Sequence, residues 1–375
     1  MIYSVLPERE PFSAYSGGAI SRDVANLMRI DPRRIVVCHS ADDTWGFSPD
    51  RILVIPELYR YGGIKGRKFL PWLIHGPLLR YMFRPLISRL GAGDVVWCHS
   101  QPYFAAALRR PIILKRAKLI CHYHNTLSCV GRRSIYRRFS ADAVIFVSDF
   151  VRKDALSLVP TLSNTTVIYN GADDTLFHPV SAGYVRVNPI PKILYVGRLN
   201  PVKGVHVLLE AMRLLQERKV NVLCKVVGAP FFGGSKVTDY AERLLKSRPS
   251  NVEFQGFRIQ TEIAEEYRAA DIYCCPSIWQ EPFGNVNIEA MGCGIPVVAT
   301  RVGGIPEIAA EGGIVLVEPN SAVEMADALQ KLVEDGKLRA DIGMKGLRSF
   351  QRNFTWTVIN GQCQEVLNRM KTDVG

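Results

Sequence analysis

Two glutamates, Glu281 and Glu289, stand on either side of a Pro-Phe-Gly turn and are well placed to do chemistry. The run before the turn, 271–276, is typical of a strand, and the run 285–291 is typical of a helix. The first carboxylate would then lie in a loop above a strand end and the second just over one turn into the helix. Backbone N–H groups at 284–286 would be the unpaired donors of that helix, which favour phosphate. The arrangement suits a phosphorylated, hydroxyl-rich ligand, and a capped helix with two surface glutamates is the alternative.

Two cations, Arg198 and Lys203, lie in a glycine-bounded loop between a predicted strand, 192–196, and a predicted helix, 205–215. A strand-to-helix loop with an arginine and a lysine can hold a diphosphate. The spacing does not match the Walker P-loop, so ATP hydrolysis of that type is not supported. Two solvated cations in a surface loop are the alternative.

The first half of the chain offers two further positions. Gly17 and Gly18 lie between an extended segment and a predicted helix, where backbone can approach an anion closely. A glycine turn without a binding role is the alternative. His122 and His124 share one face at the end of a predicted strand. No third ligand is evident for a metal pair. The sequence therefore favours hydrogen bonding of a substrate by His124. The alternative is a core histidine whose ring nitrogens are hydrogen-bonded within the protein.

Alternating elements must position these residues. Buried strands are predicted in the first half at 35–38, 51–55, 95–98, 119–122, 143–147 and 167–169, and in the second half at 192–196, 222–227, 252–254, 272–275, 296–299 and 313–317. Segments between them are mostly long enough for helices, which indicates parallel α/β sheets. Ligands of such sheets bind outside the carboxyl ends of the strands. A polar stretch at 177–191 is the best linker candidate, so we expect two domains.

Composition narrows the class of protein. The 375 residues carry a net charge of +12, and residues 1–180 hold 24 Lys and Arg against 14 Asp and Glu. A basic first half suggests an anionic partner such as a membrane surface or an acidic acceptor. Nucleic acid is not expected, because no RNA- or DNA-binding motif is present. Nine cysteines without a C-x-x-C pair, and a start without a secretory signal, predict a cytoplasmic protein with reduced thiols.

One stretch could touch a membrane. Residues 69–90 are basic, aromatic and amphipathic, which suits a membrane interface, and Arg132, Arg133, Arg137 and Arg138 form a second basic cluster. An ordinary helix covering the sheet is the alternative for 69–90. The sequence has no apolar run near the roughly 20 residues that span a bilayer.

These motifs together resemble the retaining glycosyltransferases of family 4. The resemblance covers essentially the whole chain and rests on several short segments: Gly17-Gly18, His124, 167–173, Gly197-Arg198 with Lys203-Gly204, the E-x7-E signature from Glu281 to Glu289, and 303–307. It implies the α/β GT-B fold, with two facing Rossmann-like domains and a cleft between them. An acceptor domain is expected at 1–178 with the last helix, 355–375, and a donor domain at 185–354. The first strand departs from the family pattern, because 7–11 interrupts it with two prolines.

The resemblance also implies roles for single residues. Arg198 and Lys203 resemble the pair that neutralises the donor diphosphate, Glu289 the glutamate that holds the ribose, and Glu281 the one that contacts the donor sugar. His124 resembles a histidine near the reacting centre. Further donor contacts are implied for Phe283, Gly284, Asn285 and Val286, and for the Gly17-Gly18 loop.

The implied activity is transfer of a sugar, with retained anomeric configuration, from a nucleotide-diphosphate donor to an acceptor hydroxyl. UDP-sugars are favoured and GDP-sugars come second. The acceptor would be a glycan, glycolipid or other small molecule, in cell-envelope polysaccharide, lipopolysaccharide or glycolipid synthesis, with peripheral contact to the inner face of an anionic membrane. The chain has no Asp-x-Asp, so no metal cofactor is expected. A nucleotide-sugar epimerase and a non-catalytic nucleotide-sugar-binding subunit are the alternatives.

Overall fold

A computed structural model describes residues 1–8, 10–14, 18–56, 72–127, 141–180, 189–229 and 238–372. Gly17, residues 69–71 and the arginine cluster at 132–138 therefore lie outside the described residues. The chain forms two compact units, one of Met1–Tyr169 with Asn360–Gly375 and one of Asn170–Ile359. No described helix has the length and apolar character needed to cross a membrane.

The first unit is built on a parallel sheet with the order β5-β3-β1-β6-β7-β8-β9. Its strands are β1 (Ile2–Val5), β3 (Arg34–Cys38), β5 (Ile52–Val54), β6 (Val95–His99), β7 (Lys118–Tyr123), β8 (Ala143–Phe146) and β9 (Thr165–Val167). β2 (Phe12–Ser13) and β4 (Ala41–Asp42) form a separate parallel pair. The described helices are α1 (Ala19–Ile30), α2 (Trp72–Met82), α3 (Arg84–Arg89), α4 (Pro102–Leu114) and α5 (Asp149–Leu158). All residues of β1, β3, β6 and β8 are buried, as expected for strands covered on both faces.

The second unit contains a parallel sheet with the order β12-β11-β10-β13-β14-β15. Its strands are β10 (Lys192–Val196), β11 (Leu223–Val227), β12 (Val252–Gly256), β13 (Ile272–Cys275), β14 (Val297–Thr300) and β15 (Ile314–Val317). Its described helices are α6 (Val205–Glu217), α7 (Asp239–Lys246), α8 (Gln260–Ala269), α9 (Asn285–Gly292), α10 (Ile305–Ala309), α11 (Ala322–Glu334) and α12 (Gly336–Asn353). The last helix, α13 (Trp356–Thr372), begins in this unit and belongs to the first unit from Asn360 onward. The predicted α/β class with parallel sheets is therefore confirmed.

The last helix, α13, carries the chain back to the first unit, and Asp31 holds it there. Gln364 Nε2 donates to Asp31 Oδ2 over 2.9 Å, and Arg33 donates two hydrogen bonds to the same carboxylate over 2.8 and 2.9 Å. Burial alone would raise the pKa of Asp31, but the bonds from Arg33 and Gln364 outweigh it and lower this pKa to about 2.

The depressed pKa of Asp31 predicts a loss of stability in acid. The unfolded chain binds the proton at a higher pH than the folded one, so the contribution is present above pH 4 and is lost as pH falls toward 2. We expect the free energy of unfolding to fall by about 1 kcal/mol more between pH 5 and 3 in the wild type than in Asp31→Asn. Urea unfolding at both pH values measures this, and equal changes in the two proteins would contradict it.

Candidate active site

The loops that follow β10 and β13 lie on either side of the point where the strand order of the second sheet reverses. β10 lies between β11 and β13, so the loops that leave β10 and β13 run in opposite directions and open a crevice. Pro201–Lys203 forms a short 3-10 turn in the β10 loop, and Asn200 Oδ1 caps it by accepting from Lys203 N over 3.2 Å. Gly204 follows with φ +70°, and an added Cβ would lie 1.8 Å from the carbonyl oxygen of Pro276. Only glycine lets this loop approach the end of β13 so closely.

Lys203 and Glu281 form an ion pair in this crevice. Lys203 Nζ donates to Glu281 Oε1, and Ser277 Oγ donates to the same oxygen over 2.5 Å. Glu281 is 6% exposed, and the ammonium also lies 5.5 Å from the centre of the Trp279 ring. The two residues that were predicted to contact different parts of a donor thus form one ion pair, in which Glu281 is buried and Lys203 partly buried. The sequence analysis missed Ser277 and Trp279, which belong to the same short segment as Glu281.

Two glycines after β14 fix the backbone of Glu281. Gly304 N donates to the carbonyl oxygen of Glu281 over 2.8 Å, and Gly303 N donates to Gln280 Oε1 over 2.9 Å. Gly303 has φ +55°, and a Cβ built on it would lie 1.9 Å from the carbonyl oxygen of Glu281. The 303–307 segment therefore positions the carboxylate that pairs with Lys203.

Gly303→Ala should displace Glu281. The new methyl group meets backbone rather than a flexible side chain, and the residue keeps a left-handed conformation that costs alanine about 1 kcal/mol or more. We expect a loss of about 1–3 kcal/mol in the free energy of unfolding and weaker binding of a nucleotide diphosphate. Gly256→Ala is the control, because Gly256 has φ +71° but no atom within 4 Å of its added Cβ. Equal losses in the two variants would contradict a specific role for Gly303.

The second signature glutamate is held by a buried tyrosine. Gly284 precedes α9 with φ +103° and supplies no side-chain cap, so Asn285 and Val286 begin a helix whose first N–H groups have no intrahelical acceptor. Tyr267 Oη donates to Glu289 Oε2 over 3.2 Å and lies 3.1 Å from the carbonyl oxygen of Val286. Burial raises the pKa of Tyr267 well above its ordinary value, so the hydroxyl stays protonated.

The remaining predicted donor residues of this unit occupy the same region. Phe283 is buried, with its ring centre 6.0 Å from that of Phe354, and Asn285 Oδ1 accepts from Asn170 Nδ2 over 2.9 Å. Arg198 is exposed, and its carbonyl oxygen accepts from Tyr195 Oη over 3.0 Å. The structure thus brings Lys203 and Glu281 into direct contact, while Arg198 extends from a loop with a fixed backbone.

In the first unit, the start of α1 is already occupied by a carboxylate. Glu10 Oε1 accepts from Ser21 N over 2.6 Å, and an added Cβ at Gly18 would lie 2.7 Å from the same oxygen. Burial raises the pKa of Glu10, while its bonds to the amides of Ser21 and Ile20 and the charge of Arg22 oppose that rise. The sequence analysis missed Glu10, because nothing in the pattern shows that the chain folds back onto the helix.

His124 belongs to a cluster of buried histidines. His99 Nδ1 lies 3.0 Å from His124 Nε2, and His124 Nδ1 lies 3.8 Å from Asp23 Oδ2. The ring of His122 is tilted against that of His124, with ring centres 4.2 Å apart. Burial lowers the pKa of His124 to about 3 and lowers the pKa values of His99 and His122 well below their ordinary range, so all three rings are neutral near pH 7. The sequence analysis missed His99, because the pairing of β6 with β7 was not known.

Known families match both units. Residues 185–348 match the model described as "Glycosyl transferases group 1", and residues 33–176 match "Glycosyltransferase Family 4". The alpha-maltose-1-phosphate synthase of Mycolicibacterium smegmatis is 32% identical over 252 residues, which cover 62% of this chain and 64% of that protein. The D-inositol 3-phosphate glycosyltransferase of Corynebacterium efficiens is 35% identical over 186 residues, 48% of this chain and 43% of that protein. The matched region thus spans less than two thirds of either relative.

A solved structure extends the likeness to the whole chain. Anabaena Alr3699/HepE, crystallised in complex with UDP and glucose, has a TM-score of 0.75 and 22% identity, covering 98% of this chain and 99% of that one. At this identity the likeness shows the fold alone. The predicted GT-B fold is confirmed.

Proposed function

The chain belongs to glycosyltransferase family 4, and from that premise we propose that it transfers a sugar from a nucleotide-diphosphate donor to an acceptor hydroxyl. A UDP-sugar is the favoured donor and a GDP-sugar comes second. The observation that carries the proposal is the ion pair of partly buried Lys203 with buried Glu281, which lies in the strand-switch crevice of the second unit. Open α/β sheets bind their ligands in such crevices.

The difficult step is departure of the nucleotide diphosphate, because charge builds on its oxygens. Lys203 and Arg198 would stabilise that charge, together with the first N–H groups of α9. Glu281 keeps the ammonium of Lys203 in place, and its carboxylate would also accept hydrogen bonds from sugar hydroxyls. No metal ion is needed in this account of diphosphate binding.

Retention of the anomeric configuration is part of the proposal. Glu281 is engaged by Lys203 and Ser277, and Glu289 by Tyr267, so neither carboxylate is placed as a free nucleophile for a covalent intermediate. We favour attack on the face from which the nucleotide leaves, with the departing phosphate helping to deprotonate the acceptor. His124 remains a prediction as a residue near the reacting centre.

The acceptor is proposed to be anionic. Residues 1–180 carry ten more basic than acidic residues, and an anion would be drawn to that surface. The names of two relatives, alpha-maltose-1-phosphate synthase and D-inositol 3-phosphate glycosyltransferase, refer to phosphorylated sugars and cyclitols. A glycan or glycolipid of the cell envelope with a phosphate or carboxylate near the accepting hydroxyl would be attracted by the same excess of positive charge.

Product analysis tests the activity. Purified protein would be incubated with UDP-glucose, UDP-galactose, UDP-N-acetylglucosamine, GDP-mannose or ADP-glucose, with and without a panel of neutral and phosphorylated sugars. We expect nucleotide diphosphate release that depends on an acceptor, and an α-linked product in the proton NMR spectrum. A changed nucleotide sugar without any acceptor would favour the epimerase, and binding without turnover would favour the non-catalytic subunit.

Peripheral membrane contact is proposed for the face of α2. Tyr81 is 68% exposed and Leu78 is 41% exposed, and Arg84 is exposed at the start of α3. An exposed aromatic ring beside cations suits the headgroup region of an anionic bilayer. We expect the protein to sediment with vesicles that contain phosphatidylglycerol and to do so less after Tyr81→Ser with Arg84→Gln. Equal sedimentation with vesicles of phosphatidylcholine alone would contradict this.

A further inference from the structure

Three histidines of the first unit converge at the carboxyl ends of two neighbouring strands. His99 ends β6, His122 lies in β7 directly opposite it in the register, and His124 follows β7. One ring nitrogen of each lies within 4.8 Å of one ring nitrogen of the other two. Among the three, only His124 has a predicted part in sugar transfer, so the cluster needs an explanation of its own.

Three of the six ring nitrogens of this cluster have no hydrogen-bond partner in the protein. His122 is 6% exposed, and neither of its ring nitrogens has a hydrogen-bond partner. His99 is 1% exposed, and its Nε2 also has none. A buried polar atom without a partner costs about 1–3 kcal/mol, and native proteins rarely leave several together. A ligand that binds the lone pair of one His122 nitrogen would remove part of this cost.

The chemistry of the cluster suits a metal ion. A histidine binds metal as neutral imidazole, which is the form that burial favours in all three rings. Three imidazoles are a known ligand set for zinc, with bonds of about 2.0–2.1 Å, so the nitrogens of a tetrahedral site lie roughly 3.3 Å apart. His99 Nδ1 and His124 Nε2 are 3.0 Å apart. The three ligand nitrogens lie within 4.8 Å of one another, so the longest separation would have to close by up to about 1.5 Å to complete that geometry.

The surroundings provide an outer carboxylate. His124 Nδ1 faces Asp23 Oδ2 at 3.8 Å, so the opposite nitrogen of the same ring is directed toward His99. A carboxylate behind a metal-binding histidine fixes the ring and makes it a better ligand. The guanidinium of Arg34, which is fully buried over Trp97, opposes a cation, and Asp23 offsets that charge.

We propose that His99, His122 and His124 bind one divalent transition-metal ion of the Zn²⁺ type, with water as the fourth ligand. Nitrogen ligands favour zinc, copper, nickel or cobalt over magnesium or calcium, which take oxygen. The ion would fix the ends of β6 and β7 and the orientation of His124. The site lies within the first unit and shares His124 with the predicted reacting centre, but it includes none of the residues proposed to hold the diphosphate. Zinc content therefore tests the site separately from the proposed function.

Metal analysis of the tag-free protein tests the site. After dialysis against Zn²⁺ and removal of free ion, we expect about one zinc per wild-type chain by mass spectrometry. His122→Ala should lose it, while His206→Ala should keep it, because His206 lies in the second unit and contacts Tyr240. Asp23→Asn should weaken the affinity by about 10–100-fold. Circular dichroism and thermal unfolding would establish that each variant is folded.

Two outcomes would overturn the proposal. The first is a wild-type chain that retains no zinc, and the second is equal zinc content in folded wild type and His122→Ala. If His122→Ala does not fold, Co²⁺ added to the wild-type protein decides the question. A tetrahedral nitrogen site gives visible d–d absorption that Zn²⁺ displaces, and its absence would also overturn the proposal.

Discussion

Replacing Lys203 with alanine is expected to lower kcat/KM for sugar transfer at least tenfold, or about 1.4 kcal/mol. The change removes the ammonium that would stabilise the leaving diphosphate. It also leaves Glu281, which is 6% exposed, as a buried carboxylate without its cation. Breaking one side of a buried ion pair is costly because the remaining charge is uncompensated. The measurement uses the donor and acceptor that product analysis identifies.

Lys225→Ala is the matched control. Lys225 Nζ lies 2.8 Å from Glu266 Oε2, so this change also breaks a partly buried lysine–glutamate pair in the second unit. We expect it to alter stability to a similar or smaller degree and to leave kcat/KM within about twofold. Near-wild-type activity of Lys203→Ala, or equal losses in both variants, would contradict the assigned role of Lys203.

Glu289→Ala is expected to cause a second loss of at least about tenfold in kcat/KM. A carboxylate in the first turns of α9 would accept two ribose hydroxyls, and alanine cannot replace those bonds. Because ribose contacts are the same before and during transfer, most of the loss should appear as a higher KM for the donor.

Tyr267→Phe tests whether Tyr267 acts only by positioning the Glu289 carboxylate that would contact the ribose. The phenyl ring keeps the buried packing against Phe177 and Tyr273, but the hydrogen bond to Glu289 Oε2 is removed. We expect a smaller rise in donor KM than Glu289→Ala produces, with kcat nearly unchanged. The double variant should be no worse than Glu289→Ala alone, and additive losses would show that Tyr267 acts elsewhere.

The alternation of short apolar runs with segments long enough for helices predicted most of the architecture. Parallel strands covered on both faces are continuous apolar runs, so segments such as 143–147 and 272–275 could be identified directly. The strand predicted at 167–169 was wrong in position: β9 is Thr165–Val167. It lies at the edge of its sheet and is half-buried, so its threonines are tolerated, and the apolar run that follows is not the strand.

Motif spacing predicted which residues of the second unit matter but not how they contact each other. Lys203 and Glu281 are 78 residues apart, and their pairing depends on β10 lying beside β13. The same limit hid the histidine cluster, because His99 and His122 meet only through the pairing of β6 with β7. The sequence shows only His122 and His124 and therefore predicts no metal site. The structure adds His99, and the three rings together are the basis of the metal site proposed for the first unit.

Calorimetric titration with UDP, GDP and ADP, with and without EDTA, tests the central claim most directly. We predict that one nucleotide, with UDP favoured, binds the wild-type protein most tightly, that EDTA does not weaken the binding, and that Glu289→Ala weakens it at least about tenfold. Such a result would support a donor site that needs no metal and would identify the donor base. Failure of all three nucleotides to bind, or equal binding by Glu289→Ala, would contradict the assignment of the second unit as the donor site.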